Sequence, residues 1–110
     1  MFRINGQKVF VSHHVPCNRC KYCLEGHHTA CETLHQGNYE PGGYSEYVRV
    51  PKANVESGVF ILPDTISYEE GTLIEPLACA VRGQGVIGVK ENHTVLILGS
   101  GVSGALNIQL

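Results

Sequence analysis

Four of the five cysteines lie close together, spaced as C-x2-C-x2-C-x7-C. They are Cys17, Cys20, Cys23 and Cys31. Structural zinc takes four ligands in a tetrahedron, and two-residue gaps let the backbone fold around one ion and turn successive thiolates inward. Four sulfurs leave no open coordination position, so the spacing predicts a structural metal site rather than a catalytic one.

Two other interpretations of the cysteines compete with zinc. A disulfide framework fits poorly, because residues 1–16 carry no secretory signal. An iron–sulfur cluster is the more serious rival to zinc, although the ferredoxin run has a shorter last gap and a proline after its fourth cysteine. Here Glu32 follows Cys31.

Five histidines lie in or near the same segment, and they are His13, His14, His27, His28 and His35. We expect their rings to be solvated, because four thiolates already saturate the ion.

A glycine motif lies near the other end of the chain, Gly99-x-Gly101-x-x-Gly104. In dinucleotide-binding turns the first glycine permits a tight turn, the second lets the backbone approach the pyrophosphate, and the third lets helix and strand pack closely. The helix N-terminus then faces the phosphate charge. We therefore predict NAD or NADP binding, with a plain glycine-rich connection as the alternative. The predicted cofactor-binding residues are Gly99, Gly101, Val102 and Gly104.

Glu75 is the third candidate, because it stands among apolar residues directly before Pro76. A buried carboxylate is costly unless it is paired, hydrogen-bonded or bound to a metal. The alternative is a glutamate at a helix end that reaches solvent or pairs with Arg82. Cys79 has no such signal, and we expect it to be a small buried apolar residue.

The elements that position the cysteines are predicted to be strands around a long loop. Residues 8–12 form a strand by alternation, and residues 13–43 form a loop without apolar periodicity that a metal must hold together. Tyr44–Val50 alternates as a second strand, and Val59–Leu62 is a short apolar third strand.

The elements around the other candidates are mainly helical. Ser67 and Glu70 form a capping box that starts a helix. Pro76 is expected to push Glu75 out of the helical region and to begin a second helical piece, which later glycines loosen. Thr94–Leu98 is an apolar run typical of a strand inside a parallel sheet, and a helix begins within the glycine motif.

Composition excludes several classes of protein. The chain has 110 residues, of which 43% are apolar and 16% charged, as in a small folded domain. Its net charge of −2 and lack of a basic stripe argue against a nucleic-acid partner. The longest apolar runs are too short to span a membrane. Without a targeting signal, we expect a cytoplasmic protein with reduced thiols.

Taken in order, four segments resemble the zinc-dependent medium-chain dehydrogenase/reductase family over essentially the whole chain. The Glu75-Pro76 pair is similar to the sorbitol and threonine dehydrogenase branch of that family. The segments are the four-cysteine run, Pro41–Tyr47, Leu73–Leu77 and Val95–Gly104.

The resemblance implies a mixed β and α/β fold. Residues 1–66 would be part of a GroES-like β-barrel catalytic domain with its zinc loop at 13–43. Residues 67–93 would form a helical link, and residues 94–110 the first β-turn-α of a Rossmann domain. The four cysteines would bind structural zinc, Glu75 would lie in or beside the shell of a catalytic zinc, and the glycines would frame the pyrophosphate.

The resemblance also implies a function, although this chain differs from the family pattern in the segment before the cysteines. Such enzymes transfer hydride between an alcohol or polyol and NAD(P), with a catalytic zinc polarising the alcohol oxygen, and assemble as dimers or tetramers. The family has a catalytic cysteine and a Gly-His-Glu motif upstream of the zinc lobe, and neither precedes Cys17. We expect an internal fragment that is inactive alone. The alternatives are a free-standing zinc-binding module without catalysis and an iron–sulfur electron carrier.

Overall fold

The computed structural model describes residues 6–37 and 39–110. The chain divides into two compact units, one ending at Pro63 and the other covering Asp64–Leu110. The described part has a small sheet and several helices, so the fold is mixed, as predicted. No helix in the described ranges has both the length and the apolar character needed to cross a membrane.

The first unit contains a two-stranded antiparallel sheet. Strand β1, Val9–Val11, pairs with β2, Val59–Ile61, with Phe10 opposite Phe60. Both strands were predicted, and the structure confirms them. The sheet joins segments nearly fifty residues apart, so it closes the intervening chain into one compact loop.

The segment between these strands is more regular than predicted. Three short helical turns interrupt the loop predicted at 13–43: α1 at Lys21–Leu24, a 3-10 turn at His28–Ala30 and α2 at Glu32–Gln36. A further helix, α3 at Lys52–Ser57, was not predicted. Few of the described side chains in this unit are buried, and two of the buried ones are cysteines. The buried side chains are those of Val15, Cys23, Cys31, Asn54 and Leu62.

The prediction of a strand at Tyr44–Val50 is wrong. Arg49 makes one isolated antiparallel bridge with Glu40, and the residues before it form bends. Tyr44 and Tyr47 are exposed. Alternation favours a strand only where a neighbouring strand takes up the backbone hydrogen bonds, and the described residues offer this segment a single bridge.

The second unit begins with the predicted capping box. The Glu70 backbone N–H donates to the Ser67 hydroxyl at 3.1 Å, and the Ser67 N–H donates to the Glu70 carboxylate at 2.7 Å. Helix α4, Tyr68–Gly71, follows this cap. Both hydrogen bonds satisfy backbone donors that a helix start leaves without partners.

Pro76 lies in the first turn of helix α5, Ile74–Ile87, so a second helical piece exists as predicted. The position of the break was wrong, because Glu75 is itself helical and the interruption lies two to three residues earlier, at Thr72 and Leu73. A proline in the first turn removes no intrahelical hydrogen bond, since those N–H groups have no acceptor within the helix.

The prediction that glycines loosen helix α5 is wrong. The helix continues through Gly83 and Gly85 and ends at Gly88, whose φ of 67° is left-handed. The Val89 N–H donates to the Gln84 carbonyl at 3.1 Å across this end. Such a glycine cap satisfies carbonyls that a helix end would leave unpaired.

The strand predicted at Thr94–Leu98 is not formed among the described residues. The segment has no regular secondary structure, and Leu96 and Leu98 are mostly exposed. An apolar run becomes a buried strand only when flanking strands supply hydrogen bonds and cover its side chains. The helix predicted after it is confirmed as α6, Val102–Gln109.

Candidate metal centre

The four cysteines converge because they stand at the boundaries of short elements or, for Cys23, within one. Cys17 precedes a turn in which Asn18 has a positive φ of 55°. Cys20 is the N-cap of α1, and Cys23 lies within that helix. Cys31 closes the 3-10 turn and begins α2. These chain reversals return all four side chains to one place.

The sulfur atoms form a compact group. All four Sγ atoms lie within 4.8 Å of one another. Cys20 and Cys23 are 3.5 Å apart, and Cys17 and Cys23 are 3.9 Å apart. A tetrahedral ion with bonds of about 2.3 Å to sulfur places the sulfurs about 3.8 Å from one another. The cluster therefore has the size that zinc requires.

Backbone N–H groups point at the sulfurs. The Cys17 N–H donates to Cys31 Sγ at 3.4 Å, and the Cys20 N–H donates to Cys17 Sγ at 3.3 Å. The Cys17 N–H, together with that of Leu34, lowers the pKa of Cys31 to about 6. Hydrogen bonds from the Arg19 and Cys20 backbone lower the pKa of Cys17. Donors of this kind stabilise thiolates, which are the form that binds a metal.

Cys23 differs from these two thiols. Burial, followed by the neighbouring Cys20 and Cys31 sulfurs, raises its pKa to about 12. Several thiolates at such short range repel one another, so full ionisation of the cluster is unfavourable without a cation. A divalent ion removes this conflict, and the donor set therefore fits zinc.

Histidines do not contribute to the cluster. Among the described residues, the only group of His, Cys, Asp and Glu side chains close enough to share an ion is these four cysteines. Two imidazole rings lie against backbone carbonyls instead. His35 Nε2 lies 2.8 Å from the Thr29 oxygen, and His14 Nδ1 lies 3.4 Å from the Leu34 oxygen.

The sequence alone did not identify the residues that anchor the two ends of the cysteine lobe, residues 13–43. Asn54, which is 2% exposed, donates from Nδ2 to the carbonyls of Ser12 and His13 at 2.9 and 3.1 Å. Tyr39 lies near the other end of the lobe, and its hydroxyl donates to the carbonyl of Val11 in β1 at 3.0 Å. An asparagine inside a helix is a weak signal of such a role, because its intrinsic helix propensity is low.

The glycine motif has the geometry of a tight connection. Gly99 has a φ of 113°, which side chains rarely adopt. A Cβ added to Gly104 would clash with the Gly99 carbonyl, whereas one added to Gly101 meets nothing within 4 Å. Gly101 is the N-cap of α6 without a side-chain cap, and the following Val102 is exposed. The first and third glycines are thus required by the turn itself, and the second faces open space.

Glu75 is exposed in the first turn of α5, and its Oε1 accepts a hydrogen bond from Cys79 Sγ at 3.1 Å. This contact raises the pKa of the Cys79 thiol. Cys79 is exposed, so the expectation of a buried apolar cysteine was wrong. One helical turn separates the two residues, which brings their side chains onto one face.

Comparison with known proteins identifies the cysteine-bearing unit. Residues 4–64 match the alcohol dehydrogenase GroES-like domain. The chain belongs to this family. The match covers more than half of the chain and includes all four clustered cysteines, so the resemblance drawn from the motifs is confirmed.

Relatives of this alcohol dehydrogenase domain include named dehydrogenases. The uncharacterized zinc-type alcohol dehydrogenase-like protein YdjJ of Escherichia coli is 34% identical over 108 residues, covering 94% of this chain and 30% of that protein. Sorbitol dehydrogenase of Bacillus subtilis is 30% identical over 105 residues, covering 94% and 29%. The crystal structure of galactitol-1-phosphate dehydrogenase from Escherichia coli has a TM-score of 0.70 at 30% identity, covering 94% and 29%. The chain thus spans under a third of each relative's length.

Proposed function

We propose that this chain is part of a zinc-dependent oxidoreductase that transfers hydride between an alcohol or polyol and NAD or NADP. The observation that carries the proposal is the group of four Sγ atoms within 4.8 Å of one another, inside a GroES-like alcohol dehydrogenase domain. The relatives named for sorbitol and galactitol 1-phosphate favour a polyol among the small-molecule alcohols.

The cysteine cluster holds structural zinc in this proposal. Cys17, Cys20, Cys23 and Cys31 are its ligands, and the ion joins α1, the 3-10 turn and α2 where few apolar side chains are buried. Metal binding of this kind contributes directly to folding, because the unfolded chain has no preformed site. Four sulfur ligands leave no position for substrate, so this zinc has no catalytic role.

The glycine turn binds the cofactor pyrophosphate in this proposal. The open space at Gly101 lets a phosphate approach the backbone, and the uncapped start of α6 directs first-turn N–H groups of Val102 and its neighbours outward. The close approach of Gly104 to Gly99 keeps helix and turn together. Residues 94–110 then begin a Rossmann domain, residues 1–66 belong to the GroES-like domain, and residues 67–93 link them.

Glu75 lies in or beside the catalytic-zinc shell in the whole enzyme. Its exposed carboxylate at the start of α5 is available to a cation, and the Cys79 thiol orients it from one turn away. A zinc ion there would polarise the alcohol oxygen. Among the described residues Glu75 belongs to no group of three or more side chains that could share a metal ion. We propose that the 110-residue chain alone is inactive.

The remaining features of the proposal follow from charge and from the relatives. The acidic net charge disfavours nucleic acid as a partner, and we place the enzyme in the cytoplasm away from membranes. We propose a homo-oligomer, a dimer or tetramer, for the whole enzyme. Its substrate is a small alcohol rather than a macromolecule.

Metal analysis of the reduced, purified chain tests the structural site. We expect one zinc and no iron in the wild type, one zinc in Cys79→Ser, and less than a tenth of this in Cys31→Ser. Cys79→Ser is the matched control, because it removes a thiol outside the cluster. A coloured, iron-containing protein would instead establish the electron-carrier alternative. Full zinc retention by Cys31→Ser would refute the ligand set.

The cofactor site is tested in the whole enzyme. We expect NADH or NADPH to bind, and polyol oxidation to require the cofactor, with Gly101→Ala weakening cofactor binding. If the whole protein takes up zinc but neither binds a dinucleotide nor oxidises an alcohol, the chain is a zinc-binding module without catalysis.

A further inference from the structure

Two of the four cysteines are placed to react with each other. Cys20 is the N-cap of α1 and Cys23 lies in its first turn, and the Cys20 thiol points at Cys23 Sγ, 3.5 Å away. Closing this gap to the sulfur–sulfur bond length of about 2.05 Å requires a shift of about 1.5 Å. Cys17 is less favourably placed, because its sulfur is 3.9 Å from Cys23 and accepts the Cys20 N–H.

The two cysteine residues also differ in exposure to solvent. Cys20 is partly exposed, whereas Cys23 is only 7% exposed and Cys31 is fully buried. A small oxidant therefore reaches Cys20 before Cys23. Site-selective oxidation of cysteine begins at an accessible sulfur and is completed by a neighbouring resolving thiol.

We propose that Cys20 and Cys23 form a reversible disulfide on exposure to a hydroperoxide, and that this disulfide and the metal exclude each other. The exclusion of metal rests on the proposed structural zinc. The sulfur of Cys20 attacks the peroxide, whose O–O bond breaks to give a sulfenic acid and an alcohol or water. The sulfur of Cys23 then forms the S–S bond, and water leaves.

The electrons and protons of this reaction balance. Two thiols are oxidised to one disulfide, and one hydroperoxide is reduced to an alcohol, or to water, with a second water from the sulfenic acid. When the sulfurs begin as zinc-bound thiolates, solvent supplies two protons and zinc leaves as the dication. Removing Cys20 and Cys23 from the ligand set leaves Cys17 and Cys31, which are too few to hold structural zinc.

Oxidation would therefore loosen the cysteine lobe. Zinc connects Cys17 with Cys31 across fourteen positions, whereas a disulfide between Cys20 and Cys23 closes a loop of only four residues. Such a short loop restricts the chain little. Arg19 and Lys21 flank Cys20 and are exposed, so trypsin should cut there faster in the oxidised chain.

The test uses the reduced Cys79→Ser chain, zinc-loaded with its zinc content measured, and adds hydrogen peroxide stepwise. A coloured chelator measures released zinc, and alkylation followed by proteolysis maps the disulfide. Trypsin separates Cys17, Cys20 and Cys23 at Arg19 and Lys21, and a protease that cuts after Glu25 separates Cys23 from Cys31. The wild type, treated in parallel, shows whether the exposed Cys79 diverts the reaction.

We expect one zinc released for each disulfide formed, the Cys20-Lys21 dipeptide linked to the peptide that carries Cys23, and recovery of zinc after treatment with dithiothreitol and fresh zinc. Zinc retained with intact thiols under excess peroxide would overturn the inference. So would a disulfide involving Cys17 or Cys31, or sulfinic acids without a disulfide. If the reduced chain takes up no zinc before peroxide is added, the proposed structural zinc site is refuted. The proposal that disulfide and metal exclude each other is then refuted as well.

Discussion

The side-chain amide of Asn54 donates a hydrogen bond of 2.9 Å to the backbone carbonyl of Ser12, 42 residues away. A second bond from the same nitrogen reaches the His13 carbonyl at 3.1 Å. Gly58 supports this contact, because a Cβ there would lie 2.6 Å from Val15 and 3.2 Å from the Ser12 oxygen. Helix α3 thus holds the chain where it leaves β1 for the cysteine lobe.

Replacing Asn54 by alanine should destabilise the first unit by about 2 kcal/mol, because two part-buried carbonyls lose their donor. Urea denaturation of the zinc-saturated chain would measure the free energy of unfolding. Val55→Ala on the same helix is the control, since Val55 is half exposed and its loss should cost less than about 0.5 kcal/mol. Equal losses for the two variants would contradict the anchoring role.

Gly104→Ala and Gly101→Ala should separate folding from cofactor binding. A Cβ at Gly104 clashes with the Gly99 backbone, so this variant should lower the stability of the second unit by about 1–3 kcal/mol. Gly101→Ala meets open space and should cost less than about 1 kcal/mol. In the whole enzyme it should weaken NADH binding about tenfold, since its Cβ obstructs the pyrophosphate. Unchanged NADH affinity would refute the pyrophosphate assignment.

Gly85→Ala and Gly88→Ala should change stability in opposite directions. Gly85 lies inside α5 with free space around it, so alanine should stabilise the helix by about 0.5–1 kcal/mol. Gly88 ends the helix with a left-handed φ, and alanine there should cost about 1 kcal/mol. Thermal unfolding of both variants checks this pair. A stabilising Gly88→Ala would show that the left-handed cap does not persist in solution.

Zinc affinity should fall as pH falls, because protons compete with the metal for sulfur. In the metal-free chain Cys31 has a pKa of about 6 and is ionised above that value, whereas Cys23, with a pKa of about 12, must release its proton when zinc binds. Below about pH 6 Cys31 also holds a proton that zinc must displace. The affinity should therefore decline more steeply there, by up to a further tenfold per pH unit.

Competition with a chelator of known affinity, repeated across the pH range, measures this dependence. Cys79→Ser provides the control, because its missing thiol lies outside the cluster and should leave the profile unchanged. An affinity that does not vary with pH would show that thiolates are not the ligands.

Features that depend on neighbours a few residues apart were readable from the sequence. The capping box of Ser67 and Glu70 formed as predicted, because the two residues share one helical turn. The convergence of the clustered cysteines follows from similarly short spacings. The start of α6 within the glycine motif is also local, since Gly99 and Gly104 belong to one connection. For such features, backbone sterics and short-range hydrogen bonds decide the outcome.

Pairing and burial were decided only by the tertiary structure. Tyr44–Val50 and Val59–Leu62 both have strand character in the sequence. Among the described residues the first makes a single bridge, between Arg49 and Glu40, whereas the second pairs with β1 as a strand. The sequence pattern also predicted a buried Cys79, but Cys79 is exposed among the residues that the structure describes. A strand requires hydrogen bonds from another segment, and burial requires another surface. The anchoring role of Asn54 likewise depends on tertiary structure, because both of its acceptors lie more than forty residues away along the chain.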